Sequence, residues 1–280
     1  MSSRIDRALE RLLDELESGV AGLDRAAENT QEFYRSPEEA EESSAGWSIL
    51  ADKIVAAYRR GGFVSAIVYG RQGAGKSVYA IKVAYDALRR LGKVPRSARS
   101  EVVFKRYMVF SAHAFISKLR NASFSARIPV LIWDDAGVHG GSYLHFVDPH
   151  LAKAVGDVFR VARTRVAAIL FTTPSPRDLL RPLRSYDTLI VYVHEVDDVW
   201  SRAHIYQLRL LPSGDARITK IAIEDFKRRL PTYSEYIKIR DRYADYAIDY
   251  LQRLLEEKSL KKAGQMREVR GVDVDGDEEV

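Results

Sequence analysis

Apolar residues at Ile5, Ala8, Leu9, Leu12, Leu13 and Leu16 recur every three to four positions, which predicts an amphipathic helix over 3–18. The same spacing predicts a second helix over 47–60, ended by Gly61 and Gly62. A strand over 63–69, a glycine-rich loop and a helix over 76–91 follow. Downstream come a helix over 111–121, a buried strand over 129–134, a loop through Gly137, Gly140 and Gly141, and a helix over 150–163. A strand over 166–172, a short helix over 176–183 and a strand over 187–194 complete the alternation. Such a pattern predicts an α/β fold of three layers around a mainly parallel sheet. Segments 199–211 and 216–223 alternate about Pro212, Ser213, Gly214 and Asp215, a β-hairpin signal. A long helix over 232–258 carries Tyr233, Tyr236, Tyr243, Tyr246 and Tyr250, which suit packing into a core or against a partner helix. No internal repeat is evident.

Composition sharpens this outline. The chain has 280 residues, 46% apolar and 30% charged, enough for a sizeable core. It has no cysteine, which excludes disulfides, thiolate metal sites and a cysteine nucleophile. No apolar run approaches the ~20 residues of a membrane span, and the first ten residues lack the apolar block of a signal peptide. The expectation is a soluble cytoplasmic protein. Two Asn and five Gln in the whole chain suggest a thermophilic source.

The net charge of +5 is unevenly spread. Residues 1–27 carry −2, residues 28–42 carry −5 and residues 271–280 carry −5, which leaves +17 on residues 43–270. A body that basic suits a polyanion such as DNA; a solvated, charge-rich surface is the plainer alternative. The expected organisation is an N-terminal helix (1–26), an acidic linker with Pro37 (27–46), a main α/β domain (47–225), a C-terminal helical segment (226–262) and a disordered acidic tail (263–280). The first helix is either a separate arm for docking a partner protein or for oligomerisation, or a helix packed on the main domain.

Candidate chemistry concentrates in two places. Gly70, Arg71, Gln72, Gly73, Ala74, Gly75, Lys76 and Ser77 fit G-x-x-x-x-G-K-[ST] between a predicted strand and a predicted helix, which Val78 continues. Glycines let the backbone curl so that successive amides face phosphates, and the helix N-terminus adds its positive end. Lys76 then reaches the β- and γ-phosphates of ATP, and the Ser77 hydroxyl ligates Mg²⁺. Val130, Leu131, Ile132 and Trp133 form the second signal, a buried strand ending in Asp134 and Asp135. The pair therefore sits at the carboxyl edge of the sheet, where α/β folds bind ligands. Asp134 is the expected second Mg²⁺ ligand, and Asp135 the group that orients or deprotonates the attacking water.

On these residues the chain resembles the P-loop ATPases with an additional strand and a catalytic acid, the AAA+ and RecA-like classes. Asp134-Asp135-Ala136-Gly137 and the segment from Thr172 to Leu180 look like the branch of replication initiators, helicase loaders and transposase helpers, and like ATPases of archaeal plasmids and viruses. The resemblance covers about residues 47–195. It implies a γ-phosphate sensor at Thr172-Thr173, assigned to Thr173. It also implies an arginine finger reaching a neighbouring subunit of a homo-oligomer, assigned to Arg184 with Arg181 beside it; Arg160, Arg163 and Arg165 are rivals. AAA+ proteins follow the last strand with a helical lid, whereas this chain has a predicted hairpin, as RecA-like motors do, so both classes stay open.

His139, His145 and His150 show no regular metal spacing. Basic and aromatic residues interleave at Phe104, Lys105, Arg106 and Tyr107 and again over 233–242, a pattern that grips phosphates and stacks bases. The function expected is a Mg²⁺-dependent ATPase acting on DNA as a motor or switch. A small-molecule or nucleotide kinase, and a nucleotide-dependent scaffold, are the alternatives.

Overall fold

The computed structural model describes residues 4–18, 34–35, 47–95, 97–123, 125–139, 149–184, 188–210, 216–245, 248–249 and 252. Its elements in chain order are α1 (Arg4–Ser18), β1 (Tyr34–Arg35), α2 (Ile49–Arg60), β2 (Val64–Tyr69), α3 (Lys76–Arg90), α4 (Glu101–Arg106), β3 (Met108–Val109), α5 (Ala112–Asn121), β4 (Leu131–Trp133), α6 (Ala136–His139), α7 (Pro149–Ala162), β5 (Ala168–Thr173), a 3₁₀ turn (Pro176–Asp178), α8 (Arg181–Arg184), β6 (Thr188–Glu195), β7 (Trp200–Leu210) and β8 (Ala216–Lys227). The strands form one mixed sheet in the order β1-β8-β7-β6-β2-β5-β4-β3. β6, β2, β5, β4 and β3 run parallel, β7 and β8 add an antiparallel hairpin to β6, and β1 lies parallel to β8.

The central strands are apolar on both faces because helices cover both. Ile67, Tyr69, Leu131, Trp133, Ile169, Phe171, Ile190 and Tyr192 face one core with Phe115 and Leu119 of α5 and Phe159 of α7. Trp133 stacks on Phe115 with ring centroids 4.6 Å apart. The opposite face is covered by α2 and α3, whose buried side chains include Leu50, Ile54, Tyr79, Val83 and Leu88. α2 starts where Ser48, in extended backbone, accepts the Ala51 amide, and ends at Gly61 in the left-handed region.

Several expectations are revised. Of the two placements for the first helix, the structure has the packed one: α1 lies against β7 and β8, and Leu9, Leu12 and Leu13 join the core. The predicted acidic linker supplies β1, which pairs Tyr34 with Ile223 and Arg35 with Glu224 along an otherwise open edge. β8 continues to Lys227 rather than ending at 223, so the predicted boundary at 225/226 falls inside a strand. Glu224 hid this continuation, since a charged residue at a buried position breaks the alternation. One compact unit extends from Met1 to Thr232. The predicted helix over 176–183 is a 3₁₀ turn followed by α8. The loop expected from Gly137 opens with α6, and β3 has only two residues, too few for any periodicity. In the second unit, Tyr233–Val280, residues 233–245 are helical, with Tyr233 and Tyr243 exposed. The predicted tail (263–280) lies outside the described residues. No helix among the described residues is long and apolar enough to cross a membrane.

Candidate functional site

The loop over residues 70–75 leaves the end of β2, the strand flanked on both sides by parallel neighbours. Its three glycines take positive φ: 144° at Gly70, 87° at Gly73 and 94° at Gly75. Gly75 is the N-cap of α3 and offers no side-chain acceptor, so no side chain caps that helix. The Lys76 ammonium folds back over the loop and donates to the carbonyls of Gly70 (3.0 Å) and Arg71 (2.9 Å). Ala74 closes a turn onto the Arg71 carbonyl at 3.2 Å. Arg71 and Gln72 are exposed, whereas Val78 is buried in the α3 packing face.

Sheet register delivers the acidic pair to this loop. Trp133 lies beside Phe171, so the next residues, Asp134 and Thr172, are neighbours on the face toward α3. The Ser77 hydroxyl and the Thr172 hydroxyl each donate to Asp134 Oδ1 at 2.6 Å. Asp134 is fully buried. Asp135 turns out of the strand with φ at 49°, and its amide donates to Thr172 Oγ1 at 2.9 Å. Thr172 therefore clamps both carboxylate residues at once.

The resemblance assigns the γ-phosphate sensor to Thr173, the residue after Thr172. Thr173 is on the opposite face of β5, where its hydroxyl donates to the Ser175 carbonyl at 2.9 Å, and only Thr172 joins Asp134. Sequence shows two adjacent hydroxyls; choosing between them requires the register of β4 on β5. Arg184 lies half-buried on α8, and its Nε is buried with no partner among the described residues. Arg181 is engaged within the chain, its Nε 3.2 Å from Asp6 of α1. Arg163 and Arg165 lie just before β5, at the amino edge of the sheet and away from the loop. Arg160, one turn earlier on α7, pairs with Asp157. The His139 side chain and His145 lie outside the described residues, and His150 is exposed.

Sequence reading missed the polar group behind the loop. Glu224 of β8 is fully buried and accepts from the Tyr79 hydroxyl (2.8 Å), the Ile49 amide (2.6 Å) and the Ser48 hydroxyl (3.3 Å). Tyr79 is two residues beyond Ser77, so this carboxylate ties the first turn of α3 to the start of α2 and to the hairpin. Burial pushes the Glu224 carboxyl up to about 7, against the lowering effect of these donors. Burial raises the Tyr79 hydroxyl as well, reinforced by the Glu224 charge. A carboxyl raised above its ordinary 4.5 adds stability that is complete below that pH and lost as pH rises through about 7. Buried His204 is lowered to about 3, chiefly by desolvation, and loses its contribution in the opposite direction, as pH falls below 6.5. A comparison between variant and wild type isolates the glutamate. The melting-temperature advantage of Glu224→Gln over wild type is expected to grow by about 5 °C between about pH 5 and about pH 8. A difference that does not change with pH refutes the raised pKa of this group in the fold.

No family model matches the chain. It is 28% identical over 232 residues to the uncharacterized protein B-251 of Sulfolobus spindle-shape virus 1, covering 75% of this chain and 86% of that protein. It is 25% identical over 226 residues to the uncharacterized protein ORF286 of Acidianus two-tailed virus, covering 76% and 70% respectively. Among solved structures, the N-terminal domain of zonular occludens toxin from Neisseria meningitidis matches at a TM-score of 0.32 and 11% identity, over 57% of this chain and 94% of that one.

Proposed function

We propose that this chain binds ATP with Mg²⁺ at residues 70–78, hydrolyses it, and couples hydrolysis to work on DNA. The observation that carries the reading is the 2.6 Å bond between Ser77, at the start of α3, and Asp134, at the end of β4. It joins the two predicted motifs across 57 residues of chain. The donor set fits magnesium, a hard cation served by carboxylate and hydroxyl oxygens together with water and phosphate. Ser77 and Asp134 would hold it, and when bound it offsets charge on the phosphate oxygens.

The chain's own residues do the remainder. Glycines at positive φ free the loop amides to face phosphate, and the uncapped end of α3 contributes its positive end. The Lys76 ammonium, already lying over the loop, exchanges its carbonyl partners for phosphate oxygens. Asp135 leaves the strand beside this group, where it orients the attacking water or takes its proton. Thr172 fixes Asp134 and Asp135 relative to each other. Arg184 is the better candidate for a contact across a subunit boundary, since Arg181 is held by Asp6.

The DNA part of the reading is supported by charge placement. Arg59 and Arg60 end α2, Arg89 lies in the last turn of α3 and Lys93 just beyond it, Arg120 lies in the last turn of α5, and Arg163 and Arg165 follow α7, all exposed. The parallel topology brings these helix ends to the amino edge of the sheet, opposite the loop. No acidic residue occurs in segments 87–100, 117–133 or 158–177. Such a surface matches a phosphate backbone, and DNA affinity should fall steeply with salt. With α1 packed in the core, a partner protein is better sought at the C-terminal segment.

Asp135→Asn is expected to bind ATP as wild type does while phosphate release slows by about 10²–10⁴-fold, the usual scale for losing a positioned acid–base group. Undiminished turnover refutes the role of Asp135. ADP formation that requires an added small acceptor, with the γ-phosphoryl group recovered on that acceptor, indicates a kinase instead, and DNA-stimulated phosphate release supports the motor or switch.

A further inference from the structure

The C-terminal hairpin sets an ion pair against the glycine loop. Arg228 follows β8 directly, and Glu195 is the last residue of β6. The Arg228 guanidinium lies 2.9 Å from Glu195 Oε2 and donates to the Asp198 carbonyl at 2.9 Å. Its amide donates to the Val199 carbonyl at 2.8 Å. Asp197 stiffens the same turn by accepting the Val199 and Trp200 amides, both at 2.7 Å. Both charged side chains reach the loop. A Cβ placed on Gly75 would be 3.3 Å from Arg228 Cγ and 3.3 Å from the Phe226 ring, and one on Gly73 would be 3.7 Å from Glu195 Oε1. A carboxylate thus stands beside the glycine loop, holding the guanidinium of an arginine whose aliphatic stem lies against the same loop.

We propose that Arg228 is a nucleotide-binding residue supplied by the hairpin of the same chain, and that Glu195 is the competing anion that restrains it. The inference rests on the ATP reading of the loop. A triphosphate entering the loop repels the Glu195 carboxylate and attracts the guanidinium. Arg228 needs only to exchange one oxyanion for another, because its backbone stays tied to Val199. The guanidinium is suited to this exchange, since its planar fork serves carboxylate and phosphate alike. Arg228 is partly exposed and Glu195 more so, at 20% and 51% of their side chains, so neither is locked in a core. The exchange also gives the loop a mechanical link. β8 carries the buried Glu224 that grips Tyr79 of α3 and runs directly into Arg228, so occupancy of the loop is felt at both ends of one strand–helix contact.

The test is isothermal titration of the full chain with a non-hydrolysable ATP analogue and magnesium, read as affinity and not as turnover. Arg228→Ala should weaken binding about 30-fold, the scale of a charged hydrogen bond. Arg228→Lys should recover part of that loss, since it keeps charge without the fork. Glu195→Gln should tighten binding about threefold or more. The double variant should bind more weakly than the two single effects multiplied together predict, because Glu195 acts largely by occupying Arg228. Wild-type binding with Arg228→Ala and Glu195→Gln both within twofold of it overturns this inference and leaves the ATP reading standing. A wild-type chain that does not bind the analogue overturns both. If Arg228→Ala fails to fold, Glu195→Gln at wild-type affinity is enough to refute the exchange.

Discussion

Gly70→Ala is expected to destabilise the protein by about 4 kcal/mol or more, the range reached by collisions and strain in a packed interior. Gly70 directly follows β2 with φ at 144°, a conformation that L side chains rarely adopt. A Cβ there would lie 2.1 Å from the Val193 carbonyl oxygen of β6. The obstacle is backbone in a paired strand, so relief requires parting β2 from β6 or displacing the loop. Against a total stability of roughly 5–15 kcal/mol, that is a large fraction. Gly92→Ala provides the control, because Gly92 also has positive φ, at 64°, but nothing lies within 4 Å of its added Cβ. It should cost only about 1 kcal/mol, from backbone strain alone. Denaturant unfolding of both variants measures the difference. Equal midpoints would mean that the close approach of Gly70 to β6 is absent in solution.

Lys76→Ala is expected to weaken ATP binding by about 100-fold or more, since a charged donor to phosphate contributes up to about 3 kcal/mol. Its effect on the protein alone should be small, about 1 kcal/mol from two loop carbonyls that lose a donor. The two effects separate in a thermal melt. Magnesium–ATP at a hundred times its Kd stabilises wild type by about 2.7 kcal/mol, and the variant at the same concentration should melt within a degree or so of its own value without nucleotide. An equal nucleotide-induced shift in both proteins would remove the lysine from the binding site.

Glu224, Arg228 and Thr172 show what a linear reading lacks. The loop between β2 and α3, its lysine and serine, and the strand ending in two aspartates were all legible in the chain. Each depends on neighbours within a few positions: glycines where the backbone must curl, an apolar run where a strand is buried, a change of period where strand gives way to helix. The same local signals placed most helices and strands within two or three residues and implied the mostly parallel order. The side of β5 that meets Asp134 was not legible, because Thr172 and Thr173 differ only in register against β4. Nor was the burial of a glutamate in β8, whose partners come from α2 and α3 more than a hundred residues earlier.

The approach of Arg228 and Glu195 to the glycine loop depends on the same long-range assembly. It requires β6 beside β2 and a hairpin folded back along β6, with no trace in any window of sequence. The amphipathic pattern of α1 showed which of its faces is apolar, yet the surface that buries it, β7 and β8, is built from the other end of the domain. Local periodicity and residue type determined the elements, their apolar faces and the glycine-rich loop, because those follow from backbone geometry over a few positions. Strand order and register decided which of those faces meet, because pairing distant segments is settled by the free energy of the whole packed sheet and not by any one stretch of it.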